Sequence, residues 1–289
     1  MKGMLVALAL LSGCFIKPDR VAGGDGGGGS GDGGGSGFHD ARPDSEPSMF
    51  IPKLAATAHF NKNGDAINSD MMDDETFALK SDKVSAGDLV LLIGSVDNQP
   101  QITDPPGFTR LIKAPYGDGE TQTYVAYWKI ATASEPAYYI GKYPNNHMTG
   151  DSSAAGAYVL LTVGLARDTP AIASQHDCVP TCDYETVMAA PSQGVATTVA
   201  NSIVIYAAGG NWLMSNGLDA YTMATDFTQL AAFGDYGDNR FNWSDVMVGW
   251  QPVPIIRSAT PATGTITSNQ TNFMSTGSYW SLEIAVAPQ

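Results

Sequence analysis

A series of four apolar segments occurs twice in the chain, in the same order. The four pairs are "DLVLLIG" at 88–94 with "SIVIYAA" at 202–208, "GFTRL" at 107–111 with "DFTQL" at 226–230, "YVAYWK" at 124–129 with "VMVGWQ" at 246–251, and "GAYVLLTVGLA" at 156–166 with "GSYWSLEIAVA" at 277–287. The offsets between partners lie between 114 and 122 residues, a spread that loop insertions explain. The series predicts an internal duplication, with repeats at about 86–166 and 200–287.

Each repeated segment has the pattern of a β-strand. In the last pair, large apolar residues occupy every second position, which places them on one face of a strand. These residues are Val159, Leu161, Val163 and Leu165 in the first copy and Trp280, Leu282, Ile284 and Val286 in the second. The residues that alternate with them, among them Tyr158 and Glu283, are predicted to face outward.

The segments are separated by clusters of Gly, Pro, Asn and Asp, and strong helical periodicity is absent. Two repeats of four or five strands each need a partner for their apolar faces. The sequence therefore predicts an all-β protein, a two-sheet antiparallel β-sandwich that is jelly-roll-like and in which the two repeats are intertwined. A single domain over residues 48–289 is long enough for one large sandwich of this kind.

A family resemblance extends over about residues 84–288. The segments that carry it are "AGDLVLLIGSV", "PPGFTRL", "YVAYWKIATASEPAYY", "GAYVLLTVGL", "NSIVIYAA" and "SLEIAVAP". Together they resemble a β-sandwich module of secreted bacterial proteins and phage tail fibres. The resemblance implies the same fold and brings no catalytic residues with it. The loops at 174–186 and 209–224 are longer here than is usual for that module.

The first residues resemble the signal peptide of a bacterial lipoprotein. Lys2 precedes a short apolar run, Leu5 to Leu11, which is far below the roughly 20 residues that a spanning helix needs. Leu11-Ser12-Gly13-Cys14 matches the lipobox. The resemblance implies removal of residues 1–13, lipidation of Cys14 and anchoring to a membrane. The alternative is an ordinary secretory signal with an unrelated cysteine.

A Gly-rich segment follows the cysteine. Eleven of the fifteen residues from Gly23 to Gly37 are Gly, and such a run cannot build a core. Residues 14–47 are therefore predicted to form a flexible tether with a reach of roughly 30 Å. The formal net charge of −14 opposes binding to nucleic acid and to anionic lipid. The expected location is the bacterial cell envelope, at the outer membrane or the cell surface.

Two cysteines remain after Cys14, in the segment "QHDCVPTCDYE". Cys178 and Cys182 are predicted to form a local disulfide, because an exported protein matures in an oxidising compartment. The alternative is a metal site that combines both cysteines with His176 and with Asp177 or Asp183, although a single C-x3-C with one nearby His is a weak zinc pattern.

No catalytic motif stands out. The chain contains neither an HExxH pair nor a G-x-S-x-G elbow. The adjacent acids Asp73, Asp74 and Glu75 are typical of a solvated turn. We therefore predict no catalytic residues, no metal site and no cofactor, although the acidic loops are compatible with weak calcium binding.

Two long loops mix aromatic rings with amides and carboxylates, the combination that carbohydrate sites use. The residues predicted to bind a ligand are Asn211, Trp212, Asp219, Tyr236, Asp238 and Trp243. The alternative is that these aromatic rings only pack their own loops onto the sandwich.

Three roles stay open. The sequence favours a non-catalytic recognition or structural sandwich on a lipid anchor, with a glycan or a cell-surface protein as its partner. The second role is an exported carbohydrate-active or esterase-type hydrolase with a site dispersed over loops. The third is a purely structural envelope module.

Overall fold

The computed structural model describes most of the chain beyond residue 50. The described residues are 51–60, 76–96, 102–116, 122–142, 156–165, 170–177, 187–212, 220–234, 244–267 and 277–288. They belong to one compact unit, Ser45–Gln289, and among them there is no helix. Their strands are β1 (Lys53–Phe60), β2 (Thr76–Lys80), β3 (Asp88–Val96), β4 (Thr109–Tyr116), β5 (Gln122–Ile130), β6 (Tyr138–Lys142), β7 (Gly156–Leu165), β8 (Ala171–Asp177), β9 (Val187–Pro191), β10 (Ser202–Trp212), β11 (Ala220–Thr222), β12 (Thr228–Gly234), β13 (Asp245–Val253), β14 (Thr263–Thr267) and β15 (Gly277–Val286).

The two halves of the chain form sheets with the same strand order. The first half forms sheet I, ordered β1-β7-β3-β5-β4, and a small sheet of β2 and β6. The second half forms sheet II, ordered β8-β15-β10-β13-β12, and a small sheet of β9, β14 and β11. The orders coincide when β1 is matched with β8, β7 with β15, β3 with β10, β5 with β13 and β4 with β12. The predicted duplication is confirmed, and it extends further towards the N-terminus than the sequence indicated.

The two repeats also share a local irregularity. A β-bulge interrupts β4 between Arg110 and Ile112, and a second one interrupts β12 between Gln229 and Ala231. Both pairs of positions differ by 119 residues, which is the offset between "GFTRL" and "DFTQL". A bulge adds an unpaired residue and increases local twist, so the same bulge in both copies shows that the repeats match in backbone detail.

The turn that precedes each bulged strand is equivalent as well. The Phe108 amide donates to the Pro105 carbonyl at 3.2 Å, and the Phe227 amide donates to the Ala224 carbonyl at 3.1 Å. The third residue of each turn has a positive φ, 79° at Gly107 and 71° at Asp226. Turns of this class require a left-handed residue at that position.

Sheets I and II pack face to face. Strand β1 lies against β12, β3 against β10, and β4 against β8, so the sheets are related by an approximate two-fold axis parallel to the strands. The all-β fold class and the two-sheet sandwich are confirmed. We had expected intertwined repeats, and the structure contradicts this: the strands of each five-stranded sheet come from one repeat only, although most paired strands are far apart in the chain.

The main core lies between the two sheets. Its buried residues are Leu89, Leu91, Ile93, Tyr116, Tyr124, Ala126, Ala157, Val159, Leu161 and Val163 from sheet I and Ile203, Ile205, Ala207, Ala231, Val246, Val248, Trp250, Trp280, Leu282, Ile284 and Val286 from sheet II. The alternating residues predicted to face inward in the last strands of the two repeats lie in this layer, except Leu165, whose side chain is outside the described set.

The outer faces of the central strands are buried too, which corrects the prediction that they face solvent. Tyr158 and Glu283 are both fully buried. The β2–β6 pair covers sheet I through Leu79, and the three-stranded sheet covers sheet II through Ile266. Strand β3 is buried from Leu89 to Val96, and a nearly continuous apolar run of this kind is typical of strands with two covered faces.

The final strands match with a register two residues away from the sequence alignment. Leu91 pairs with Trp128 and Leu161, and Ile205 pairs with Trp250 and Ile284. Leu161 therefore corresponds to Ile284, an offset of 123 rather than 121 residues. Because side chains alternate with a period of two, this shift leaves the inward face unchanged.

The matched turns generate a prediction about Gly107. A Cβ at this position would have open space, with the Lys129 Nζ atom nearest at 3.8 Å, so a substitution reports mainly on the left-handed backbone. We expect Gly107→Asp, which copies Asp226, to cost no more than about 1 kcal/mol in the free energy of unfolding, and Gly107→Val to cost about 2 kcal/mol. Urea unfolding would measure both, with Asp226→Gly as the matched control. Equal costs for Asp and Val would contradict the equivalence of the turns.

Candidate functional site

Two of the six predicted ligand residues are described, and both lie at one end of the sandwich. Asn211 and Trp212 are the last two residues of β10, where they pair with Ser278 and Gly277 at the start of β15. Asp219, Tyr236, Asp238 and Trp243 lie outside the described residues. The nearest described strand residues are Ala220 at the start of β11, Gly234 at the end of β12 and Asp245 at the start of β13. All three belong to the second repeat.

This end, which we call the far end, is formed by both sheets together. The Ser95 hydroxyl, near the end of β3, donates to the Asp245 carbonyl at the start of β13 over 3.4 Å. The Tyr124 and Trp280 rings, near the starts of β5 and β15, stack with centroids 5.5 Å apart. These contacts across the core fix which ends of the two sheets coincide. Strands β1, β3, β4, β8, β10 and β12 end at the far end, and β5, β7, β13 and β15 begin there.

A buried carboxylate lies beneath the flanks of the two predicted ligand loops. Asp245 is fully buried, and the Tyr221 hydroxyl donates to its Oδ1 atom at 2.9 Å. A Cβ at Gly234 would clash with this carboxylate and would lie 2.8 Å from the Tyr221 oxygen. Glycine is therefore required where β12 ends beside β13. Sequence reasoning missed Asp245, because a Ser-Asp pair beside a polar loop is ordinarily solvated.

The opposite end of the sandwich, which we call the near end, is where the described chain begins. β1 starts there at Lys53, β5 ends there at Ile130, and β13 ends there at Val253. The two ends therefore differ: β10 ends at the far end with Asn211 and Trp212, whereas the described chain begins at the near end.

A buried ion pair joins two near-end segments to sheet II. Glu283 on β15 accepts a hydrogen bond from the Arg257 guanidinium at 2.9 Å and another from the Val195 amide at 3.2 Å. The Ser192 hydroxyl also donates to it. The carboxylate has no exposed surface, and the Arg257 side chain is 20% exposed. Three donors satisfy the buried charge, which is the condition under which a buried carboxylate is tolerated.

A second ionic cluster lies at the near end of sheet I. The Lys129 ammonium contacts Glu135 at 2.6 Å and lies over the Phe108 and Tyr139 rings, 5.5 and 5.1 Å from their centroids. Burial favours a raised pKa for Glu135, but the hydrogen bonds from Lys129, Thr132 and Tyr139 outweigh it and lower the pKa to about 2. The ionised Glu135 carboxylate therefore contributes fully to the stability of the fold above the ordinary pKa of 4.5. This contribution is lost as the pH falls towards 2.

The cysteines lie outside the described residues, so the Cys178–Cys182 disulfide, its metal-binding alternative and the lipidation of Cys14 stay predictions. Of the residues considered for the metal alternative, His176 and Asp177 are described, as the last two residues of β8. Within the described ranges, no group of three or more His, Cys, Asp or Glu residues could hold a metal ion. The described part of the chain also contains no helix long and apolar enough to cross a membrane.

Comparison with protein-family models, with curated proteins and with solved structures found no match to this chain.

The buried ion pair generates a stability prediction. Glu283→Gln leaves Arg257 without its counter-charge, and we expect the free energy of unfolding to fall by about 2–3 kcal/mol, less than the roughly 3–5 kcal/mol usual for a fully buried pair because Arg257 is partly in solvent. The double variant Glu283→Gln with Arg257→Met should recover most of the loss, since it removes the unpaired charge while the glutamine amide oxygen can still accept a hydrogen bond from Ser192 or Val195. Urea unfolding of the parent, the single variant and the double variant would measure these differences in the free energy of unfolding. A Glu283→Gln protein as stable as the parent would show that the pair contributes nothing.

Proposed function

We propose that the protein is a lipid-anchored protein of the bacterial cell envelope, and that its β-sandwich recognises a ligand at the far end. The anchor is Cys14, and the ligand residues are those predicted from the sequence. A glycan is the favoured ligand class, because flat aromatic rings stack on sugars while amides and carboxylates bind their hydroxyls. Weak calcium binding by the acidic loops belongs to the same proposal.

The observation that carries the proposal is the separation of the two ends. The chain from Cys14 enters the sandwich at the near end, through Ile51 and Lys53, whereas Asn211 and Trp212 end β10 at the far end. In a protein anchored in this way, Asn211 and Trp212 lie at the end of the sandwich opposite to the one that the tether joins. Binding residues commonly lie on loops that a rigid scaffold holds in place, and the stacked rings and the buried Asp245 provide such a scaffold.

The anchor is tested separately from the ligand. We expect the chain produced in a bacterial host to incorporate radiolabelled palmitate and to partition into detergent, and we expect Cys14→Ser to abolish both, because only the thiol forms the thioether. Mass spectrometry of the mature N-terminus would locate the lipid. Unlabelled parent protein with an ordinary cleavage site would support the secretory alternative.

Ligand binding is tested on a panel of glycans and cell-wall polymers, with and without calcium. The protein used is the mature chain, residues 14–289 with Cys14→Ala. We expect a bound glycan to lose about tenfold in affinity in Trp212→Ala and in Trp243→Ala, since each change removes a stacking ring worth about 1.4 kcal/mol. Ile130→Ala, at the near end, is the control and should bind normally.

The same panel separates the other two roles. Breakdown of a bound polymer would replace the recognition role with the hydrolase. A folded protein that binds nothing on the panel would favour the structural module. Loss of stability in Trp212→Ala without any change in binding would show that this ring only packs its own loop.

A further inference from the structure

Two adjacent isoleucines at the near end are the most exposed large apolar residues described in the chain. Ile255 is 74% exposed and Ile256 is 60% exposed. They follow β13 and form, with Pro254, a segment that we call the near-end tip. Ile130 and Ile51, both at the same end, are 42% and 50% exposed. Large apolar side chains exposed side by side, as at Ile255 and Ile256, are characteristic of a contact surface.

The tip is held outward by hydrogen bonds on both of its sides. On one side, the Asn201 amide donates to the Pro254 carbonyl at 3.3 Å. On the other, the Arg257 amide donates to the Thr197 hydroxyl at 3.0 Å, and the Thr197 amide donates to the Arg257 carbonyl at 3.0 Å. The Arg257 side chain turns inward to Glu283. The backbone on either side of Ile255 and Ile256 is therefore held in place by hydrogen bonds. The two exposed isoleucines lie in an ordered segment.

The loop that carries the tip contains a single charged residue. Arg257 is the one charged residue between Pro254 and Pro261, in a chain of net charge −14, and its guanidinium is paired with a buried carboxylate. The corresponding connection of the first repeat, 131–137, contains Glu135 and no isoleucine or leucine. Because the same architecture is built there without exposed isoleucines, the fold does not require them at the tip.

We propose that the near-end tip inserts Ile255 and Ile256 into the surface of the lipid bilayer to which Cys14 is anchored. This inference rests on the proposed anchoring, because the chain that leads to Cys14 joins the sandwich at the same end, before Ile51. A tether reach of roughly 30 Å allows this end to touch the bilayer. The acidic protein repels anionic lipid, so the surface that the tip fits is one of neutral lipid headgroups.

The tip adds a second, weak membrane contact to the lipid anchor. Two isoleucine side chains transferred from water increase membrane partitioning by roughly 30-fold or more. This is insufficient for stable attachment in isolation, but the anchor keeps the tip at a high effective concentration near the bilayer. The consequence is orientation: the near end rests on the membrane, and the far end points outward.

The test uses the mature chain without its lipid, residues 14–289 with Cys14→Ala, and neutral phosphatidylcholine vesicles. We expect weak co-sedimentation, with a bound fraction of roughly a few per cent or more at about 50 mM lipid, and a loss of roughly tenfold or more in the partition coefficient for the double variant Ile255→Ser with Ile256→Ser. The matched control is Ala259→Ser with Thr260→Ser, which changes exposed residues of the same loop and removes little apolar surface. Urea unfolding would verify that both double variants are folded.

Three results would overturn the inference. One is vesicle binding that the Ile255→Ser, Ile256→Ser variant retains in full, and another is no binding by the parent chain. The third is concentration-dependent self-association that disappears in this variant, which would assign the tip to a second copy of the chain. The chain used in the vesicle experiment has Cys14→Ala and carries no lipid. The outcome of that experiment is therefore independent of whether Cys14 is lipidated in the natural protein. A failure of anchoring and a failure of tip insertion are therefore distinguishable.

Discussion

The apolar layer between sheets I and II is the interaction on which the rest of the structure depends. Sheet I buries Leu91 and Leu161 on its inner face only because sheet II supplies Ile205 and Ile284 opposite them. Within the described ranges, neither repeat has a second large sheet of its own that could cover this face. The duplicated unit therefore requires its copy, and the two sheets form one cooperative body.

The approximate two-fold symmetry has a consequence for function. An axis parallel to the strands brings equivalent ends of the two repeats together, so the connections of each kind collect at one end of the sandwich. The ends can then diverge independently of the shared core. At the near end, one repeat holds Lys129 and Glu135 in an ionic cluster, whereas the other has Arg257 turned inward and Ile255 turned outward. The far end carries Asn211 and Trp212 as the last residues of β10.

The sequence predicted the inner face of the sandwich well and the outer face poorly. Alternation marked Val159 and Leu282 as core residues, since each fills the space between two sheets. The same alternation placed Tyr158 and Glu283 in solvent, because polar and aromatic residues on every second position ordinarily mark an exposed face. The small covering sheets bury both, and the donors that satisfy Glu283 come from residues 26 to 91 positions away in the chain. No local pattern indicates such partners.

The sequence by itself determined the all-β class, the duplication and the inner face of the core. Strand periodicity and the similarity between the two repeats can both be read from the order of residues, without knowing which strands pair. The sequence also supplied the ligand residues and Cys14 as hypotheses. Only the tertiary structure decided that each repeat forms one whole sheet, that Asp245 and Glu283 are buried, and that the chain enters at the end opposite to Trp212. These features depend on which strands pair and which way the sheets face, and both are set by contacts between residues far apart in the chain.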